Sequence, residues 1–132
     1  MYVQSPLHEA GIAASVLEIA ETEARKLGAR AIRVVKLRMG DFSGVVADAL
    51  EFAFDALKAG TLAEQAKLEI ERIPLTAWCS KCQAARQPQQ DLMLWCPTCS
   101  TPLEVMTGQE LDVEYIEIDE PELGREPWSA SA

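Results

Sequence analysis

All four cysteines of this 132-residue chain fall between residues 79 and 99. They form two Cys-x-x-Cys pairs, Cys79 with Cys82 and Cys96 with Cys99, with residues 83–95 between them. Nothing else in the sequence constrains the fold as tightly. Two such pairs on adjoining hairpin turns supply four soft ligands for a tetrahedral metal ion. Pro97 suits the second turn, because it fixes one backbone dihedral where the chain reverses. Zinc is the expected ion. Such a site has no open position for a substrate, so its role is to hold the segment together rather than to catalyse.

Other uses of the same residues predict different surroundings. Two disulfides need an oxidising compartment, and the sequence opens with no signal-peptide pattern, so a cytoplasmic protein with reduced cysteines is expected. A redox Cys-x-x-Cys normally occurs once, at a strand-to-helix turn. A rubredoxin-like iron site uses the same ligands, which leaves iron as the alternative metal. The net charge is −9, with 21 acidic and 12 basic residues. Thiolates on a divalent ion add more negative charge, which argues against a nucleic-acid partner, since phosphate needs a basic face. No apolar run approaches the roughly 18 residues of a membrane span, so no membrane role is expected.

The rest of the chain alternates helical and extended patterns. Ser5-Pro6 reads as a helix start, with Ser as N-cap and Pro in the first turn. From Leu7 to Leu27 a helical stripe follows: Ile12, Val16 and Ile19, broadened by Leu17, Ala20, Ala24 and Leu27. Gly28 is a natural C-cap. Residues 31–39 predict a strand with Val35, Leu37 and Met39 on one face. After a 40–44 turn, residues 45–59 predict a second helix, buried through Val46, Leu50, Ala53, Phe54 and Leu57 and ended by Gly60. Residues 67–73 form a second strand with Leu68 and Ile70 inward, stopped by Pro74. Residues 109–118 form a third, with Leu111, Val113 and Tyr115 on one face. The order predicts an α+β fold: two helices packed on a three-stranded sheet, with a four-cysteine zinc-ribbon module inserted between the second and third strands. The expected domains are 1–75 with 108–118, a zinc-binding module at 76–107, and an acidic flexible tail at 119–132. Trp128 in that tail is read as having no specific role.

One histidine is present, His8, followed by Glu9. Read alone, it is a solvated surface histidine, or one made less basic by the positive helix end, with a metal role as the alternative. The pattern around it says more. His8-Glu9 precedes V-L-E-I-A-E; then come M-G-D-F-S-G-V, A-L-E-F-A-F-D, G-T-L-A-E-Q-A-K-L-E-I-E-R-I-P, W-C-x-x-C and C-P-x-C. From Leu7 to about Ile118 this resembles the HypA/HybF family of hydrogenase maturation nickel metallochaperones. The resemblance implies a non-enzymatic protein with no catalytic residues. It would bind Ni(II) and deliver it to the [NiFe]-hydrogenase large subunit, together with a HypB-type GTPase. The nickel-binding domain would be residues 1–75 with 108–118. His8 would be the principal nickel ligand and Glu9 a secondary one, and Cys79, Cys82, Cys96 and Cys99 would hold structural zinc.

In that family the histidine directly follows the initiator methionine, so imidazole, amide and α-amine chelate one Ni(II) in fused rings. Here Leu7 stands in that place and six residues precede it. Two explanations stay open: the native chain begins at Leu7, read as methionine, or the longer chain binds nickel more weakly through His8 with Glu9, with Asp41 or the lead residues as further donors; Asp41 is more simply read as a solvated loop acid. The alternative function is a zinc-ribbon protein-interaction adaptor in hydrogenase maturation, without transferable nickel.

Overall fold

A computed structural model describes residues 9–88 and 94–119. The Ser5-Pro6 start, Leu7, His8, Trp128 and the rest of the tail beyond 119 lie outside the described residues. The chain divides into two compact units. One is drawn from Met1–Arg38, Val45–Glu71 and Asp112–Ala132, the other from Met39–Gly44 and Arg72–Leu111.

The first unit contains both helices. Helix α1 spans Glu9–Lys26, and Ile12, Ala13, Val16, Leu17, Ala20 and Ala24 are its buried residues. Their three- and four-residue spacing is one stripe of an α-helix. Gly28 closes the helix at φ 69°. The Gly28 N–H donates to Arg25 C=O at 3.1 Å and the Ala29 N–H to Ala24 C=O at 3.0 Å. These are the two bonds of a Schellman closure, which needs the left-handed conformation that glycine adopts without cost. Leu27, expected to widen the buried stripe, falls past the last helical turn and is 57% exposed. Helix α2 spans Ala47–Leu57 and packs against α1. Leu50 and Phe54 are fully buried. Val46 and Leu57, also expected in the buried stripe, are exposed. The helix is shorter than the periodicity suggests, and these two residues stand at its ends.

Strand β1 (Ile32–Gly40) is the centre of a three-stranded sheet, with β2 (Lys67–Ile73) on one side. The last strand in the chain, β6 (Leu111–Ile118), lies on the other side. The Asp41 N–H donates to Ile73 C=O at 2.8 Å where β1 and β2 both end. They therefore run parallel, and α2 is the crossover such a pair requires. Strand β6 runs antiparallel to β1: Asp119 N–H bonds Ala31 C=O at 2.9 Å at one end, and Gly40 N–H bonds Glu110 C=O at 2.7 Å at the other. The central strand buries Ile32, Val35, Leu37 and Met39 completely, while Leu68 and Ile70 on the edge strand β2 are only half-buried. On the other edge Val113 is buried, but Tyr115, expected on its face, is exposed beside exposed Glu114. Two consecutive exposed residues break the alternation there.

The second unit carries the cysteines. Between β2 and β6 the chain forms β3 (Thr76–Cys79), β4 (Ala84–Arg86) and β5 (Glu104–Thr107), in the order β4-β3-β5. Both pairings are antiparallel; Ala77 faces Arg86 on β4 and Val105 on β5, with a register shift between Thr76 and Ala77. The core of this sheet is small: Ala77, Cys79, Cys96 and Leu103, with Cys82 and Cys99 packed against it. The 40–44 turn also belongs to this unit. Here Gly40 approaches the Gly108 backbone so closely that a side chain on it would collide with main-chain atoms.

Candidate metal centre

Each cysteine pair is shaped by one tight turn. In the first, Gln83 N–H donates to Cys79 C=O at 2.8 Å; in the second, Ser100 N–H donates to Cys96 C=O at 2.8 Å. The residue after each second cysteine takes a left-handed conformation, Gln83 at φ 56° and Ser100 at φ 61°. This repeated geometry swings both sulfurs of a pair to the same side. Strand β3 brings in Cys79, and the second turn is closed by Cys96 N–H to Thr101 C=O at 2.8 Å and the Trp95–Pro102 bridge.

The four sulfur atoms lie within 4.8 Å of one another. Individual separations are 3.5 Å for Cys79–Cys99, 3.6 Å for Cys82–Cys99 and 3.9 Å for Cys82–Cys96. A disulfide needs about 2.05 Å, and all four cysteines are free. One tetrahedral ion bound at about 2.3 Å would hold its sulfurs about 3.8 Å apart, the edge of such a tetrahedron. The cluster fits that figure, with two ligands buried (Cys79, Cys96) and two half-buried (Cys82, Cys99).

The surroundings prepare the sulfurs for different charges. Burial pushes the Cys96 thiol up, but the N–H groups of Cys99 and Thr98 and the Arg86 guanidinium outweigh it and bring it to about 5. Cys99 is lowered first by the Thr101 hydroxyl, whose oxygen lies 3.2 Å from its sulfur, and then by the Thr101 N–H. Cys82 is pushed up to about 11, chiefly by its contact with Cys99, then Cys79 and burial. A divalent cation favours thiolate at every ligand, and its binding releases protons. The Cys82 N–H also donates to Cys79 Sγ at 3.3 Å. Thr101 carries no signal in the sequence as a sulfur partner, nor Arg86 as a cation beside the cluster; the second turn brings the first there and the β3–β4 register the second.

His8 lies outside the described residues. Glu9 begins α1, half-buried, and its carboxylate accepts the Val46 N–H at 3.3 Å. One of its oxygens is thereby engaged at the start of α2. Asp41 is engaged too: its Oδ1 takes Arg72 Nε at 3.0 Å and Arg72 Nη2 at 2.9 Å. Among the described residues, no helix is long and apolar enough to cross a membrane.

Comparison with known proteins bears on what this architecture serves. The family described as "Hydrogenase/urease nickel incorporation, metallochaperone, hypA" matches residues 7–118. Hydrogenase maturation factor HypA of Roseiflexus sp. is 42% identical over 115 residues, 86% of this chain and 94% of that protein. The Picosynechococcus sp. protein of the same name is 39% identical over 113 residues, 85% of this chain and 99% of its own. The fold is also that of the solution structure of the Ni metallochaperone HypA from Helicobacter pylori (TM-score 0.63, 22% identity, 86% of this chain and 99% of that one). Matched over residues 7–118, this chain belongs to the HypA family of hydrogenase and urease nickel-incorporation metallochaperones.

Proposed function

We propose that this protein is a cytoplasmic, non-enzymatic carrier that binds Ni(II) and hands it to the [NiFe]-hydrogenase large subunit, working with a HypB-type GTPase. The observation that carries the reading is the family match over residues 7–118. Its division of labour is nickel binding by residues 1–75 with 108–118, and zinc binding by residues 76–107. Cys79, Cys82, Cys96 and Cys99 hold the zinc, a reading supported by sulfur separations that suit one tetrahedral ion. His8 is the principal nickel ligand and Glu9 a secondary donor. The imidazole suits Ni(II) by ligand type. Few protein ligands bind moderately, and a target offering more ligands then wins the exchange.

A second reading is favoured by one specific observation. Glu9 is occupied by the Val46 N–H and Asp41 by Arg72, which leaves fewer carboxylates for nickel. On that reading the protein is a zinc-ribbon adaptor in hydrogenase maturation without transferable nickel. A transfer experiment separates them: purified protein loaded with radioactive nickel is mixed with nickel-free hydrogenase large subunit and the HypB-type GTPase. Carrier function predicts label moving to the large subunit faster than from free nickel at equal concentration. Unaccelerated transfer supports the adaptor.

A further inference from the structure

Helix α2 is apolar on its inner and outer sides. Leu50 and Phe54 are fully buried, yet Phe52 is 77% exposed and Leu57 43% exposed. Ala49, Phe52, Ala53 and Ala56 recur at three- and four-residue spacing, so they form one stripe that runs round the helix from Phe52 toward Leu57. Ala49 and Ala56 are exposed and Ala53 is half-buried. A helix that is apolar all round is ordinarily covered on every side. Leu57 carries the stripe to α1, where it lines a cleft of about 500 Å³ with Ala14, Leu17 and Glu18. Glu21 and Arg25 stand in the same cleft but are engaged, with each other at 3.2 Å and, for Glu21, with the Leu62 N–H at 3.0 Å. Asp48, Glu51 and Asp55 lie on the other side of Phe52 from Leu57. Asp55 pairs with Lys58 at 3.1 Å. Glu18, Asp48 and Glu51 are exposed and have no ion pair among the described residues. The apolar floor is therefore bordered by uncompensated negative charge on both sides, by Glu18 on α1 and by Asp48 and Glu51 on α2.

We propose that this face, the outer side of α2 with the cleft beside α1, docks an amphipathic helix of a partner protein, apolar on one side and basic along its flanks. An apolar helix face laid into such a groove buries Phe52, Ala56 and Leu57 together, and Phe52 is the aromatic anchor. Lysine or arginine on the flanks then meets Glu18 on one border and Asp48 and Glu51 on the other, which sets the orientation and selects the partner. Charge disfavours the other occupants. A second copy would set the same acidic border against itself, in a chain of net charge −9. The chain's own residues 120–132 carry Glu120, Glu122 and Glu126 against a single Arg125. An anionic membrane surface is repelled in the same way. A nickel carrier and a zinc-ribbon adaptor both need such a surface, so the outcome of nickel binding leaves it standing.

The probe is a fluorescein-labelled peptide of leucine and lysine with its leucines on one helical face, about 18 residues or five helical turns long. It is titrated with the full zinc-loaded chain and followed by anisotropy. Saturable one-to-one binding that weakens as salt rises is expected. Phe52→Ala should weaken it about tenfold or more, with the urea midpoint of the free protein unchanged. Ala56→Lys, which places a bulky like charge on the same stripe, should do the same. Glu18→Gln, Asp48→Asn and Glu51→Gln combined should weaken binding and remove most of its salt dependence. Met106→Ala, at an exposed apolar residue of the second unit, should bind as the wild type does. No saturable binding, wild-type affinity in both Phe52→Ala and Ala56→Lys, or equally tight binding of a peptide with glutamate in place of lysine would overturn the assignment. Sedimentation showing a dimer of the free chain that Phe52→Ala dissolves would overturn it in favour of a second copy. Phe52-dependent binding to phosphatidylglycerol vesicles would overturn it in favour of a membrane.

Discussion

Consider a single methyl group added at Gly40. The Gly40 backbone is not left-handed, so alanine meets no conformational penalty there. The cost is steric. The new Cβ would overlap the Gly108 carbonyl carbon and oxygen and lie 2.6 Å from the Gln109 nitrogen, whereas ordinary contact begins near 3.4 Å. All three atoms are main chain, and Gly108 has little room to retreat, since its own Cβ position is 2.7 Å from Leu75 Cα. Separation strains the bonds that stitch this crossing together, Gly40 N–H to Glu110 C=O and Phe42 N–H to Gly108 C=O, each 2.7 Å. Losing both costs about 2 kcal/mol, and overpacking adds about 1–3, so Gly40→Ala should destabilise by about 3–5 kcal/mol. Gly44 is the control: its φ is +82° with nothing within 4 Å of a new Cβ, so Gly44→Ala should cost only about 1–2 kcal/mol of backbone strain. Urea unfolding of zinc-loaded protein, followed by near-ultraviolet circular dichroism, measures both. For a slope near 2 kcal/mol/M, Gly40→Ala should lower the midpoint by about 2 M. A Gly40→Ala protein within about 1 kcal/mol of the wild type, or more stable than Gly44→Ala, would refute the close-approach argument.

Two further outcomes follow from the same packing. Removing zinc with a strong chelator should abolish the near-ultraviolet signal of Trp78 and Trp95 while most helical signal at 222 nm persists, because the core around the cysteines is only Ala77, Leu103 and the two buried cysteines themselves; retention of both signals would contradict this. Phe54→Ala should cost about 3–5 kcal/mol because Phe54 is fully buried, whereas Phe52→Ala, two residues away and 77% exposed, should stay within about 0.5 kcal/mol; urea midpoints decide.

Much of this is legible in the sequence, and the reasons differ by element. Helix α1 could be read because its stripe is long and its end carries Gly28, whose conformation is required by a specific pair of bonds. Strand β1 is readable because this central strand buries Ile32, Val35, Leu37 and Met39 fully. The exposed Val46, Leu57 and Tyr115 were misplaced because periodicity marks a face but not where an element ends or how well an edge is covered. The cysteine cluster was visible as spacing. The short strands around it were not, since Ala84–Arg86 and Glu104–Thr107 are too brief to show a period and are held by pairing with β3. Arg86 is invisible for the same reason: its place opposite Ala77, beside the cluster, depends on register. The engagement of Glu9 by Val46, 37 positions along the chain, likewise needs the tertiary fold.

The central claim is that this chain carries nickel at His8. It is tested most directly by titrating Ni(II) into the zinc-loaded 132-residue protein beside its His8→Ala variant, by calorimetry and absorbance. The account predicts saturable binding near one nickel per chain that is lost in the variant. Equal binding in the two proteins, or none in either, would contradict it.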